Sequence, residues 1–247
     1  MVNVLKKFKD LFLSDGPAPQ EGERREFHRY GFGHLGKTNL FIGPLAFPVE
    51  DMSYGGLSIR APLEEIQDFM DQDGVFEARL QCFHIERVFV LTVANNRDGL
   101  IGCSTVHGDI EGLMWLRDIL EFVRVGMDIT PFPERNSPAG SRTVKCFRGS
   151  FGTNLSVTSD AKNPMYRFDL SFRDSGVPSK VEYIEGEVTF RRFDDVDDDS
   201  FKALEQSLFI LAGFIRTNQV PEIKEVFKAI EDKIDSLLER KSSKLTG

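Results

Sequence analysis

Three arginines, Arg24, Arg25 and Arg29, stand close together near the start of the chain. About one hairpin further on come Asp51, Ser53 and Gly56. A guanidinium carries a planar fork of donors that fits the O6/N7 edge of guanine, and its face stacks on a base. A carboxylate such as Asp51 accepts from the N1–H and N2–H edge of guanine. Ser53 can donate to phosphate or sugar oxygens, and Gly56 lets a backbone approach without a Cβ in the way. These residue types suit recognition of an anionic purine nucleotide. No nucleophile–base arrangement or paired carboxylates stand out elsewhere, so a binding protein is expected and not an enzyme. The same residues also allow a plain structural use. Arg25 and Arg29 would then pair with Glu21, Glu23 or Glu26, and Asp51-x-Ser53-x-x-Gly56 would be an ordinary turn.

The order Arg25-x-x-x-Arg29 followed by Asp51-x-Ser53-x-x-Gly56 resembles the signature of the PilZ domain family, and all five positions are filled. That family binds cyclic di-GMP, a bacterial second messenger of two guanylates in a ring. The resemblance covers about residues 21–127 and implies a six-stranded antiparallel β-barrel closed by a C-terminal helix. It implies that Arg25 and Arg29 hold guanine edges and phosphate, with Arg24 as a third guanidinium. Asp51 would read a guanine, while Ser53 and Gly56 line the pocket. It further implies that the segment before the arginines, roughly residues 17–24, is a switch that folds over the ligand and changes the surface shown to a protein partner. A PilZ-like adaptor that binds protein and no nucleotide is the alternative.

Whole-chain numbers bound this reading. A chain of 247 residues holds one large or two modest domains. No apolar run is long enough to span a bilayer, and the first residues, Met1-Val2-Asn3-Val4-Leu5-Lys6, lack a signal-peptide core. Three cysteines fit a reducing compartment, so a cytoplasmic protein is expected. The formal net charge of -8 argues against a general nucleic-acid partner but leaves room for a small dianion held by a local cationic cluster.

Residues 1–13 place Val4, Leu5, Phe8, Leu11 and Phe12 at helical spacing with lysines between, and Gly16-Pro17 ends the pattern. Such a helix can lie on a membrane, although packing on its own protein is the commoner use. Together with a linker it forms an N-terminal piece over residues 1–20. Strands are expected around residues 40–42, 56–59, 76–82, 87–94 and 100–106, with a turn at Asn95-Asn96-Arg97-Asp98-Gly99 and a single helical turn or edge loop near residues 62–71. Asp109 is placed to cap a helix whose Leu113, Leu116, Ile119, Leu120 and Val123 share one face.

Two competing motifs fall in this half. Gly31-Phe32-Gly33-His34-Leu35-Gly36-Lys37-Thr38 satisfies the P-loop pattern, and Gly31, Gly33 and Gly36 satisfy the dinucleotide pattern. Both need a buried strand before and a helix after. Charged residues precede, and Gly43, Pro44 and Pro48 follow, so the glycines read as a tight bend and a P-loop NTPase is only a remote alternative. Cys82 with His84, and Cys103 with His107, each share a strand face, and zinc takes such ligands. Neither half has a Cys-x-x-Cys knuckle, so no metal is assigned. His28 and His34 are near the motif, with surface roles as good a reading as ligand contact.

The prolines of residues 128–141 suggest an interdomain linker. Residues 142–247 then read as a second α+β domain: an antiparallel sheet, in which Tyr166, Phe168, Leu170 and Phe172 alternate, and two helices. The acidic run of residues 194–199 suits the N-terminus of the first helix, over residues 200–216. Ile223, Phe227, Ile230, Ile234, Leu237 and Leu238 stripe the second, facing its own sheet or a partner chain. Asn154-Leu155-Ser156-Val157-Thr158-Ser159 echoes the second motif without its glycine, as in a degenerate PilZ-like unit that has lost the ligand grip and serves packing or partner binding. The whole is expected to be a β-rich α+β protein that binds cyclic di-GMP through the first domain and meets an unknown protein partner through the second.

Overall fold

Alternation builds the strands as the pattern requires. In the strand Val75–Cys82, Phe76, Ala78, Leu80 and Cys82 are buried while Glu77 and Arg79 are exposed. In the computed structural model the described residues are 29–31, 38–106, 109–133, 137–139, 142–174, 176–192 and 200–245. The expected helix of residues 1–13, the linker and switch up to residue 24, Arg24, Arg25, His28, His34, His107 and the acidic run 194–199 lie outside them.

The first half contains β1 (Tyr30–Gly31), β2 (Thr38–Ile42), β3 (Leu45–Ser53), β4 (Gly56–Arg60), α1 (Leu63–Gln67), β5 (Val75–Cys82), β6 (Ile85–Arg97), β7 (Leu100–Thr105) and α2 (Ile110–Met127). β3 pairs with β2 through Leu45 to Pro48 and with β4 through Val49 to Ser53. The path β2-β5-β6-β7-β4-β3 therefore returns to β2, and the six strands form a closed antiparallel barrel. Register shifts between Val49 and Asp51 on β3 and between Val93 and Asn95 on β6 bend these two long strands around the corners. The first strand of the last hairpin runs further than expected, leaving Asp98-Gly99 alone as the turn, both at positive φ. Asp109 caps α2, its side chain accepting from the Gly112 N–H at 2.8 Å.

The second half contains β8 (Thr130–Pro131), β9 (Ser137–Ala139), β10 (Arg142–Arg148), β11 (Asn154–Asp160), β12 (Arg167–Asp174), β13 (Val177–Ile184), β14 (Glu187–Arg192), α3 (Ser200–Thr217) and α4 (Ile223–Leu245). Its sheet is an open meander, β14-β13-β12-β11-β10-β8, with β9 also on β10. Within the stretch 128–141, expected as a linker, the described residues 130–131 and 137–139 pair with this sheet. Ile129 is fully buried, and β8 and β9 pair with β10. Its prolines misled because Pro131 and Pro138 sit on short edge strands, where a missing N–H is tolerated. The echo of the second motif lies along β11, between two paired neighbours, whereas the motif itself spans the β3–β4 turn.

One hydrophobic core runs through both halves. Ile223, Phe227, Ile230 and Ile234 of α4 are buried in it, so that stripe covers the chain's own core. Two contacts join the halves most closely. A Cβ at Gly126 of α2 would lie 1.9 Å from the Ile210 carbonyl oxygen, and one at Gly213 of α3 would lie 1.9 Å from that of Val123. The two helices thus meet backbone to backbone, which only glycine allows. At the β5–β6 turn, Phe83 is buried at φ +57, with its ring 5.3 Å from Phe209 and 5.2 Å from Phe227. Beside it, His84 Nδ1 lies 2.9 Å from Asp235 Oδ1 on α4. Among the described residues no helix is long and apolar enough to cross a membrane.

Candidate functional site

The short strand β1 lies antiparallel on β3, with Tyr30 opposite Met52 and Gly31 opposite Asp51. Continuing that register by one residue brings Arg29 alongside Ser53. Arg29 Nη1 donates to Asp51 Oδ1 at 2.5 Å, and the two side chains keep 28% and 25% of their surface exposed. The register shift next to Asp51 belongs to the barrel corner, so the same irregularity that closes the sheet sets the position of the carboxylate. The neighbouring Met52 is fully buried, as alternation requires. Guanidinium and carboxylate thus meet in a half-buried place, and Arg29 carries more N–H donors than Asp51 accepts. Such a pair can hold a phosphate or a purine edge while staying fixed in orientation.

Ser53 and Gly56 face each other across the β3–β4 turn. The Ser53 hydroxyl is buried and donates to the Gly56 carbonyl at 3.3 Å. A Cβ at Gly56 would lie 2.0 Å from the Cys103 carbonyl oxygen, so the close approach this glycine permits is made to β7. Burial pushes the Cys103 thiol up to about 12, and the charge of Arg29 offsets this only in part.

Tyr54 and Gly55 form the turn itself. The Tyr54 hydroxyl donates to Glu121 Oε1 on α2 at 2.6 Å, and Arg124 donates to Glu121 Oε2 from Nε at 3.0 Å and Nη2 at 2.8 Å. Burial, then the bond to Glu121, raises the Tyr54 pKa well above its ordinary value, so it stays protonated. Burial also raises that of Tyr30, whose ring lies 6.5 Å from that of Tyr54. For Arg124, burial pulls the pKa down, but the bonds and charge of Glu121 more than offset it and leave it raised. Arg124 also lies 5.7 Å over the Phe151 ring of the second half, so a polar chain runs from the motif turn through α2 to the open sheet.

The other sequence candidates separate. Thr38 begins a strand and not a helix, so the described residues after the glycine-rich segment lack the helix N-terminus a P-loop needs; residues 32–37 lie outside them. Cys82 on β5 and Cys103 on β7 are held apart by β6. Burial raises both thiols, which disfavours the thiolate that binds metal. Among the described residues no group of three metal-capable side chains forms.

Sequence reasoning missed Tyr54, Glu121 and Arg124, whose positions carry no local signal for a contact made across 67 residues. It also missed Arg216, in the last turn of α3. A Cβ at Gly31 would lie 3.9 Å from Arg216 Nη1, and Gly31 pairs with Asp51, so a guanidinium of the second half reaches the short strand that follows Arg29. No protein-family model matches the chain, and no curated protein matches it.

Proposed function

We propose that this chain is a cyclic di-GMP receptor that changes conformation on binding the nucleotide and signals to a protein partner. The observation that supports it most is the meeting of Arg29 with Asp51 beside the Ser53–Gly56 turn, at one place on the barrel. Of the motif residues, Arg29, Asp51, Ser53 and Gly56 are among those described, and these four lie close to one another. In this reading Arg29 uses its remaining donors on a guanine edge or phosphate, joined by Arg25 and Arg24 from the preceding segment. Asp51 accepts from guanine, and Ser53 and Gly56 line the pocket. Ordering of the segment before Arg24 over the nucleotide alters the surface offered to a partner. The polar chain from Tyr54 to Arg124, and Arg216 beside β1, give the second half a physical route to that change.

Calorimetry with cyclic di-GMP tests the reading. The wild type should show saturable binding, and Arg25→Ala or Arg29→Ala should weaken it about ten- to a hundredfold, since a charge-assisted hydrogen bond contributes about 1.5–3 kcal/mol. One nucleotide per chain would exclude a stacked ligand dimer favoured by a third arginine. A folded wild type that takes up no nucleotide would sink the proposal. It would leave the adaptor reading, which one observation favours: Asp51 already accepts from Arg29, and the Ser53 hydroxyl is already bonded within its own turn.

A further inference from the structure

A sheet ends in unpaired backbone groups, and among the described residues almost all such ends are closed or covered. The barrel has no open side. At one margin of the second sheet, β8 and β9 lie on β10. The other margin is β14, and among the described residues no strand pairs with its outer side. Its centre is Val188-Thr189-Phe190, three residues that favour strands. An uncovered margin of this kind is a template for another strand.

The hairpin geometry says which groups are open. Glu185 and Gly186 form a two-residue turn with φ of 49° and 95°, and Ile184 and Glu187 close it. The closing pair bond to each other, and alternation then sends the N–H and C=O of Val188 and Phe190 to the free side. Glu187, Thr189 and Arg191 stand exposed on one face, and neither Glu187 nor Arg191 has an oppositely charged partner among the described residues. On the other face Val188 is buried, while Phe190 packs on the core only in part.

We propose that β14 is the contact between two copies of this chain, paired antiparallel about a two-fold axis through Thr189. That register sets Val188 of each copy opposite Phe190 of the other, so the open groups bond and the half-covered phenyl ring gains a neighbour. It also sets Glu187 of each copy beside Arg191 of the other, in the non-hydrogen-bonded positions where side chains come closest. Other two-fold registers do worse. An axis through Phe190 would set Thr189 against Arg191, and one through Val188 would set Glu187 against Thr189 and run Phe190 into the turn. The occupant is a second copy because the charges flanking Thr189 complement themselves. The result is one continuous sheet across two molecules.

Sedimentation or light scattering over a range of protein concentrations tests this on the full chain. The wild type should move from monomer to dimer as concentration rises. Glu187→Arg sets two like-charged pairs across the axis and should raise the dimer dissociation constant about tenfold or more. The double variant Glu187→Arg, Arg191→Glu restores opposite charges and should return it close to the wild-type value. Both positions are exposed, and an unchanged thermal midpoint of the diluted variants checks that the fold is kept. Hydrogen exchange at the Val188 and Phe190 amides should slow as the dimer forms. A chain that stays monomeric at all concentrations overturns the proposal. So does a dimer that ignores Glu187→Arg, or one whose Val188 and Phe190 amides exchange as fast as in the monomer.

Discussion

The two sheets are built from the same alternating strands, yet one closes and the other stays open. The difference lies in two irregularities. β3 and β6 are the barrel's longest strands, and each shifts register once, between Val49 and Asp51 and between Val93 and Asn95. Those shifts let the strands curl. From β10 to β14 the registers run without a shift, so the second sheet has nothing to close it. It relies on α3 and α4 to cover one face, and on the other it sets charges against each other: Arg167 and Lys180 bond both Asp169 and Glu182 at 2.7–3.1 Å. Closure also changes where binding groups can sit. In the barrel the motif falls at a corner, whereas the open sheet offers an edge.

The largest effect that could break this comparison is a cavity in the open sheet. Phe168 is fully buried on β12, and Phe168→Ala should destabilise the chain by about 3–5 kcal/mol. The single tryptophan, Trp115, is on α2 against Phe89 of the barrel, 5.7 Å between rings. Because the core is continuous, its fluorescence should show the same fall in denaturation midpoint as far-ultraviolet dichroism. Two separate transitions would mean that the sheets fold independently. A smaller loss is expected from Gly213→Ala, about 1–3 kcal/mol, because the added methyl meets main chain that cannot move aside. A denaturation midpoint equal to wild type would show that the contact is looser than described.

The last effect develops only in alkali and is read at a thiol of the barrel. Cys82 and Cys103 are both buried there, whereas Cys146 of the open sheet is half-exposed. Folding raises the Cys103 thiol from 9.0 to about 12, so the folded chain holds that proton more tightly. Its contribution is fully present below pH 9 and is lost as pH rises towards 12. The slope for one such group is about 1.4 kcal/mol per pH unit. Unfolding free energy measured from pH 8 upward should therefore fall less steeply in Cys103→Ala than in wild type; equal slopes would remove Cys103 as a cause.

Much of the local structure was legible in the sequence, because alternation and helical stripes are local signals. Asp109 as a cap, the strand carrying Phe76 to Cys82, and the helices after residues 109, 199 and 222 follow from neighbours in the chain. The spacing of Arg29, Asp51, Ser53 and Gly56 was legible in the same way. What could not be read was contact between distant residues: Phe83 between Phe209 and Phe227, Tyr54 on Glu121, and Arg216 beside Gly31. The prolines of residues 128–141 misled for a related reason. Proline marks a linker or a sheet edge equally well, and only the pairing with β10 separates the two.

Side chains yield to pressure by changing rotamer, and most packed helices can slide a little on that account. Gly126 and Gly213 leave α2 and α3 no such cushion, because main chain presses on main chain. A small turn of α2 would press directly on the main chain of α3. At this crossing a shift of the helix that closes the barrel meets main chain of the helix that covers the open sheet, with no side chain between them to give way.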